Sequence, residues 1–282
     1  MEHQPPDAPL HQAEASAPQL VRAEKHPSVE NVLRLVIDNP SARNGLTADS
    51  AEALAGLIRQ ADADPAVRAV VLTGAGDHFC SGLDLRDGAK VVKDGPDAIR
   101  ARLDRGFHAA IRALVECRKP TLAVVRGACV GFGFDLALAC DLKVAANDAL
   151  FSQSFSNIGL VPDGGSSFIL PRLVGLGKAL ELFLLAERLS GEEAARAGLV
   201  NRAVPASGLE ALADDWAGRL GSGPPIAYAL GKANLLAGAA GGTLDEALQR
   251  EKEAQVRCIT SKDAFSAVQA FFLKKKPVFE GR

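Results

Sequence analysis

"KPTLAVVRGACVGFGFDLALACDLKVAA", residues 119–146, decides the fold. "TLAVV" is an unbroken apolar run with β-branched residues, which predicts a buried strand. "RGACVGFG" is a glycine-rich bend. "FDLALAC" is a short apolar helix, and "DLKVAA" is another strand. Strand, bend, helix and strand in succession are the grammar of an α/β core.

The same cycle appears on both sides of this stretch. Upstream, "NVLRLVIDNP" (31–40) alternates apolar and polar residues before a turn, and "LTADSAEALAGLIRQADADP" (46–65) has helical spacing with Thr47 as its N-cap. "AVRAVVLTGAGDHFCSG" (66–82) begins as a buried strand and ends in a glycine-punctuated loop, and "DAIRARLDRGFHAAIRALVECRKP" (97–120) reads as a long amphipathic helix. Downstream, "ALFSQSFSNIGLVPDGG" (149–165) leads into a helix around "SSFILPRLVG" (166–175). Beyond Gly177 the pattern is helical, interrupted by one short strand in "LVNRAVP". The expectation is a mobile tail over residues 1–25, an α/β core over 26–200 and a helical region over 201–282 that packs on a neighbouring subunit.

Composition narrows the function. The chain has 282 residues, 48% of them hydrophobic, and a formal net charge of -2, enough apolar material for one large core or two modest ones. Balanced charge without a long basic face argues against nucleic acid as a partner. Cys80, Cys117, Cys129, Cys140 and Cys258 are odd in number and scattered, without C-x-x-C spacing, so neither a disulfide framework nor a structural zinc site is expected. That usage fits a reducing cytoplasm. No apolar run approaches the roughly 20 residues of a membrane span, and the first residues lack a basic region followed by an apolar one.

Several familiar motifs fail on inspection. "TGAGDHF" and "GFGFDL" contain G-x-G but do not complete a dinucleotide fingerprint. "GLGKA" has Arg172 where a phosphate loop begins with Gly, and Ala179 where magnesium needs Ser or Thr. "GGSSF" lacks the second Gly of a nucleophile elbow, and beyond the N-terminal segment only His78 and His108 are available as a base. No clustered His and carboxylate pattern points to a metal.

Three stretches, "HFCSGLDL", the opening "KPTLAVVRGACVGFGFDLALACDLKVAA" and "FSQSFSNIGLVPDGGSSFILPRLVG", together resemble the crotonase superfamily of enoyl-CoA hydratases and isomerases. The similarity runs from about Val29 to "KKKPVF" near the C-terminus. It implies a spiral of ββα units with a helical C-terminal extension, assembled as a homotrimer or a dimer of trimers. It also implies an acyl-CoA thioester as substrate, coenzyme A entering as part of it and no separate cofactor.

Chemistry on carbon next to a thioester builds an enolate, which two preorganised backbone N–H groups stabilise. By position those donors are Leu83 and Phe132, the second at a helix N-terminus. Many relatives have Gly at the Phe132 position. Enoyl-CoA hydratases carry two Glu residues where this chain has Asp135 and Phe155, which puts two-carboxylate hydration in doubt. Asp163, in "VPDGG", matches the catalytic Asp of dienoyl-CoA isomerases, phenylacetyl-CoA epoxide isomerases and aroyl-CoA dehalogenases.

An Asp before Gly-Gly is on its own a turn residue. In this context Asp163 is expected to be the proton shuttle, with Asp135 as partner acid or orienting group. Phe155 and Phe134 are candidates for an acyl pocket. Ser81, Asp84 and Leu85 are candidates for the coenzyme arm, with Arg43 and Lys275, the latter flanked by Lys274 and Lys276, near its phosphates. Asp141 is expected to be structural. The expected activity is isomerisation of an unsaturated or ring acyl-CoA. The alternatives are hydration of a 2-enoyl-CoA and non-catalytic acyl-CoA binding.

Overall fold

The buried apolar runs line up as one sheet in the computed structural model, which describes residues 20–84, 86–87, 93 and 95–282. Its strands are β1 (Val21–Lys25), β2 (Val32–Ile37), β3 (Ala69–Gly74), β4 (Thr121–Val125), β6 (Leu142–Ala146) and β9 (Arg202–Val204), adjacent in that order. Only β1 runs antiparallel to its neighbour; the rest are parallel. Parallel strands need crossovers, and each one carries helix to the sheet's face. A smaller sheet joins β5 (Ala128–Val130), β7 (Leu150–Ser152) and β8 (Arg188–Ser190). This is the crotonase-type α/β spiral.

The local signals form as read. Helix α1 (Ala48–Ala63) starts at Thr47, whose side chain accepts from the Ser50 amide in a reciprocal capping box, and buries Leu54 and Ile58 completely. Such a cap contributes about 1 kcal/mol, and each buried aliphatic side chain about 1.5–3 kcal/mol. Residues 96–116 are helical throughout, as α2 (Pro96–Arg102), a π-helical segment (Leu103–His108) and α3 (Ala109–Glu116). Helix α4 (Phe132–Ala139) is buried on every side. Then come α5 (Ser166–Val174), α6 (Leu176–Leu184), α7 (Gly191–Arg196), α8 (Leu209–Gly221), α9 (Pro225–Ala240), α10 (Leu244–Ile259) and α11 (Lys262–Phe272).

Two boundaries differ from expectation. The tail assigned to residues 1–25 includes β1, a strand held by pairing with β2 from Val21↔Ile37 to Lys25↔Leu33; residues 1–19 lie outside the described part. The core does not stop at residue 200 either. β9 extends the main sheet, and α8 buries Leu209, Ala213 and Ala217 in the same core cluster. The separate helical region begins at α9. Asp141 is structural as expected: it accepts from the Thr121 amide and hydroxyl and from Lys232 Nζ, at 2.8, 2.9 and 2.8 Å. Among the described residues no helix is long and apolar enough to cross a membrane.

Candidate active site

The site begins where the loop after β3 meets the start of α4. Cys80 pairs with Cys129 of β5 through Cys80 N to Ala128 O (2.9 Å) and Val130 N to Cys80 O (3.0 Å), which anchors the loop. Its next residues bracket Leu46: Leu46 N donates to Gly82 O at 2.8 Å, and Asp84 N to Leu46 O at 2.9 Å. Alternation along an extended chain then turns the amide of Leu83, between them, the other way. That amide has no acceptor among the described residues.

The amide of Phe132 is likewise without an acceptor, being the first of α4, where no preceding turn exists to receive it. Gly82 brings the two loops together. A Cβ on Gly82 would sit 2.9 Å from Val130 O and 3.2 Å from Phe132 N, so a side chain there would push the donors apart. Both Leu83 and Phe132 line one cavity of about 950 Å³.

Asp163 lines the same cavity. Its Oδ1 is buried and has no hydrogen-bond partner. Burial raises its carboxyl above the usual carboxylate range, partly offset by the charge of His108. Asp163 is held there from behind. Asp135 Oδ2 accepts from the Gly164 amide at 2.9 Å, and Oδ1 accepts from Ser166 Oγ at 2.6 Å and Gln153 Nε2 at 2.7 Å. The contact is close enough that a Cβ on Gly164 would lie 2.5 Å from the Asp135 Cβ.

Asp135, expected as partner acid or orienting group, stands as an anchor that orients the turn. It has no exposed surface, does not line the cavity and has both oxygens engaged. Burial pushes its carboxyl up to about 6 against the lowering effect of its donors. Phe134 is corrected. It is buried in the core edge-on to Phe151, with centroids 6.2 Å apart, and does not face the cavity.

Phe155 does line the cavity, together with the apolar side chains of Ile99, Leu103, Phe107 and Phe132. The Phe132 ring, which the glycine of many relatives lacks, packs edge-on against Phe107 at 4.8 Å between centroids. The benzyl group thus joins the wall while its amide faces the donor site.

Arg43, Ser81 and Asp84 also line the cavity. Ser81 Oγ donates to Ala42 O at 2.7 Å, fixing the loop. Asp84 is lowered to about 2, first by hydrogen bonds from the Arg86 guanidinium, and also receives Asn39 Nδ2 at 3.2 Å. It is a fixed anion, unsuited to act as a base. Leu85 lies outside the described residues. Lys275 is exposed beyond the end of α11 and does not line this cavity; the long C-terminal helices carry it elsewhere.

Sequence reading missed Arg86, Arg102, Leu103, Phe107 and the anchors Gln153 and Ser166. Leu103 and Phe107 stand four apart on a helix that was expected, and that spacing was the available signal for a shared face. No local pattern marks Gln153 or Ser166. Among the described residues, no three His, Cys, Asp or Glu side chains are placed to hold a metal ion.

The sequence pattern of the enoyl-CoA hydratase/isomerase family matches residues 28–282, and the chain belongs to that family of acyl-CoA-processing enzymes. It is 38% identical to a Rhodobacter capsulatus protein named "Probable enoyl-CoA hydratase", over 90% of this chain and 96% of the relative. It is 33% identical to the Escherichia coli 1,2-epoxyphenylacetyl-CoA isomerase, over 90% of this chain and 96% of that one. The crystal structure of a Bacillus anthracis enoyl-CoA hydratase superposes with a TM-score of 0.87 at 30% identity, covering 94% of this chain and 100% of the other.

Proposed function

We propose that the protein isomerises an unsaturated or ring acyl-CoA, with Asp163 moving the proton and the Leu83 and Phe132 amides holding the enolate. The thioester oxygen sits between the two amides. Asp163 takes a proton from carbon, the electron pair moves onto the oxygen, and the same carboxyl returns the proton at another carbon of the conjugated system. Donors fixed in a water-poor cavity need no reorganisation as the charge appears, and each is worth about 3 kcal/mol. The raised affinity of Asp163 for a proton suits it to both halves of the step.

The single observation that carries this reading is the inequality of the nearby acids. Asp163 lines the cavity with an unpartnered oxygen, whereas Asp84 is neutralised by Arg86 and Asp135 is spent on the turn. A proton shuttle needs one free carboxyl. Hydration in the two-carboxylate manner needs a second, and Phe155 occupies the matching position. The apolar wall supports an aliphatic or aromatic acyl group, and Arg43, Ser81 and the exposed Arg86, which line the cavity, are the groups we assign to the coenzyme arm. Coenzyme A is then part of the substrate and no further cofactor is invoked.

Hydration of a 2-enoyl-CoA is the second reading, favoured by the name of the Rhodobacter relative. The test is a panel of enoyl-, dienoyl- and arylacetyl-CoA esters incubated in deuterated water with wild type and Asp163→Asn, followed by mass spectrometry. Double-bond migration or deuterium uptake that disappears in the variant supports the shuttle. Addition of water that survives it makes the protein a hydratase. Tight binding without any exchange would mark a non-catalytic acyl-CoA binder.

A further inference from the structure

The cavity is graded from wet to dry. Of the apolar residues that line it, Ile158, Leu160 and Val161 expose between 49% and 70% of their surface, whereas Phe107, Phe132 and Phe155 expose no more than 8%. The three rings therefore mark its closed end and the aliphatic trio its open rim. The closed end is also where the donors lie. Phe132 supplies one amide from its own backbone, and Phe155 Cζ stands 3.9 Å from the Cβ position of Gly131, the residue before it.

Two of these rings have little room to give way. Phe107 and Phe132 meet edge-on, with centroids 4.8 Å apart and planes at 77°, a favoured aromatic arrangement. Each is flanked by a glycine pressed on backbone. A Cβ on Gly106 would run into the Ala48 carbonyl oxygen at the start of α1, and one on Gly133 into the Cys80 carbonyl oxygen. Those contacts hold the π-helical segment on α1 and the start of α4 on the loop after β3. Two nearly buried rings on fixed backbones make a hard wall.

Resting on the reading that an acyl-CoA binds with its thioester oxygen at the Leu83 and Phe132 amides, we infer that the Phe107–Phe132 pair is the stop that sets the length of the acyl group. With the coenzyme arm assigned to Arg43, Ser81 and Arg86, the acyl chain runs into the closed end and meets the pair. Short acyl groups fit in front of it. A longer one must displace a ring from a packed contact, or bend back toward the rim, where its last carbons stay in water and gain nothing. The substrate is thus a short-chain or comparably compact acyl-CoA, selected by exclusion and not by a polar contact.

The test reads equilibrium binding of a saturated series, butyryl-, hexanoyl-, octanoyl- and decanoyl-CoA, so that no reaction intervenes. Calorimetric titration gives a Kd for each with wild type, Phe107→Ala and Phe107→Leu. A methylene that finds apolar room tightens binding about fourfold. In wild type that gain stops within the series and reverses for the longest chain. In Phe107→Ala the missing ring leaves a hole that the fixed backbones do not close, and the ratio of the hexanoyl Kd to the decanoyl Kd rises at least about tenfold. Phe107→Leu, the milder change for folding, moves the ratio the same way by a smaller factor. Each ratio is taken within one protein, so a loss of folded fraction cancels.

A wild-type series that keeps tightening about fourfold per methylene through decanoyl-CoA overturns the stop, since the chain then has free room. A limit that stays at the same length in both variants overturns it too. A limit that moves in Phe107→Ala, in a protein that shows no isomerisation dependent on Asp163, supports the stop and sinks only the proposed reaction. Wild type that binds no member of the series overturns the stop together with the acyl-CoA reading on which it rests.

Discussion

Two aspartates in one site have opposite duties because their surroundings differ. Asp163 is raised by burial and left without a donor on Oδ1, so its charged form is costly in the folded protein. A raised folded-state value means that stability is greatest below the ordinary carboxylate pKa and falls as pH climbs through it to the folded value. Asp163→Asn is therefore expected to be more stable than wild type at pH 7 and indistinguishable near pH 3, measured by denaturant titration. Its turnover should drop by about 10²–10⁴, the weight of a positioned proton-transfer group. Wild-type activity should rise with pH through the raised value, since the base must first ionise. Asp135 has the same sign: the stability its neutral form contributes is lost as pH climbs from the ordinary 3.8 to about 6, with no further change above. Its replacement has the opposite consequence from that of Asp163. Asp135→Ala leaves the Gly164 amide, Ser166 hydroxyl and Gln153 amide without an acceptor, and is expected to cost about 3 kcal/mol or more in unfolding free energy. It should also lower kcat more than it raises KM, because the turn bearing Asp163 loses its anchor.

At the scale of elements, the donor pair exists because a strand-edge loop and a helix start are pressed together at Gly82. Gly82→Ala puts a methyl group 3.2 Å from Phe132 N at a residue with φ of 94°, so the loop must shift and the donors separate. The expected loss is about 10²–10³ in kcat, with substrate KM little changed, checked by steady-state kinetics on whichever acyl-CoA the panel identifies. These elements were legible in the sequence since their signals are local: buried runs, a Gly-rich bend, a Thr N-cap. For Asp135 the choice between partner acid and orienting group was not, because its partners Gln153, Gly164 and Ser166 lie 18, 29 and 31 residues away and only the folded chain collects them. Helix geometry alone places Phe134. Two helical positions differ by about 200° around the axis, so Phe132 and Phe134 cannot both face one cavity. β1 was hidden for the opposite reason: "VRAEK" is too short and too charged to announce a strand, and pairing with β2 decides it.

For the whole molecule, the burial that makes the core does not extend to the C-terminal helices. α9 and α10 contain no buried residue, and α11 buries only Asp263, which accepts from the Glu280 and Gly281 amides and ties down the chain end. Meanwhile Leu235, Leu244, Ile259, Phe265, Phe271 and Phe272 expose between 64% and 78% of their surface. So much apolar surface on helices that are well capped at Thr243 and Ser261 is the pattern of a face that another protein covers. We propose that further copies of this chain cover it. The expected result of sedimentation equilibrium is a mass three or six times the 29.4 kDa chain. Replacing both Phe271 and Phe272 with Asp, far along the chain from every residue that lines the cavity, should shift that mass toward the single chain. The unfolding temperature should then lose its dependence on protein concentration, since mass action no longer favours the folded assembly. A wild-type protein that sediments as one chain at micromolar concentration would assign these helices to another partner.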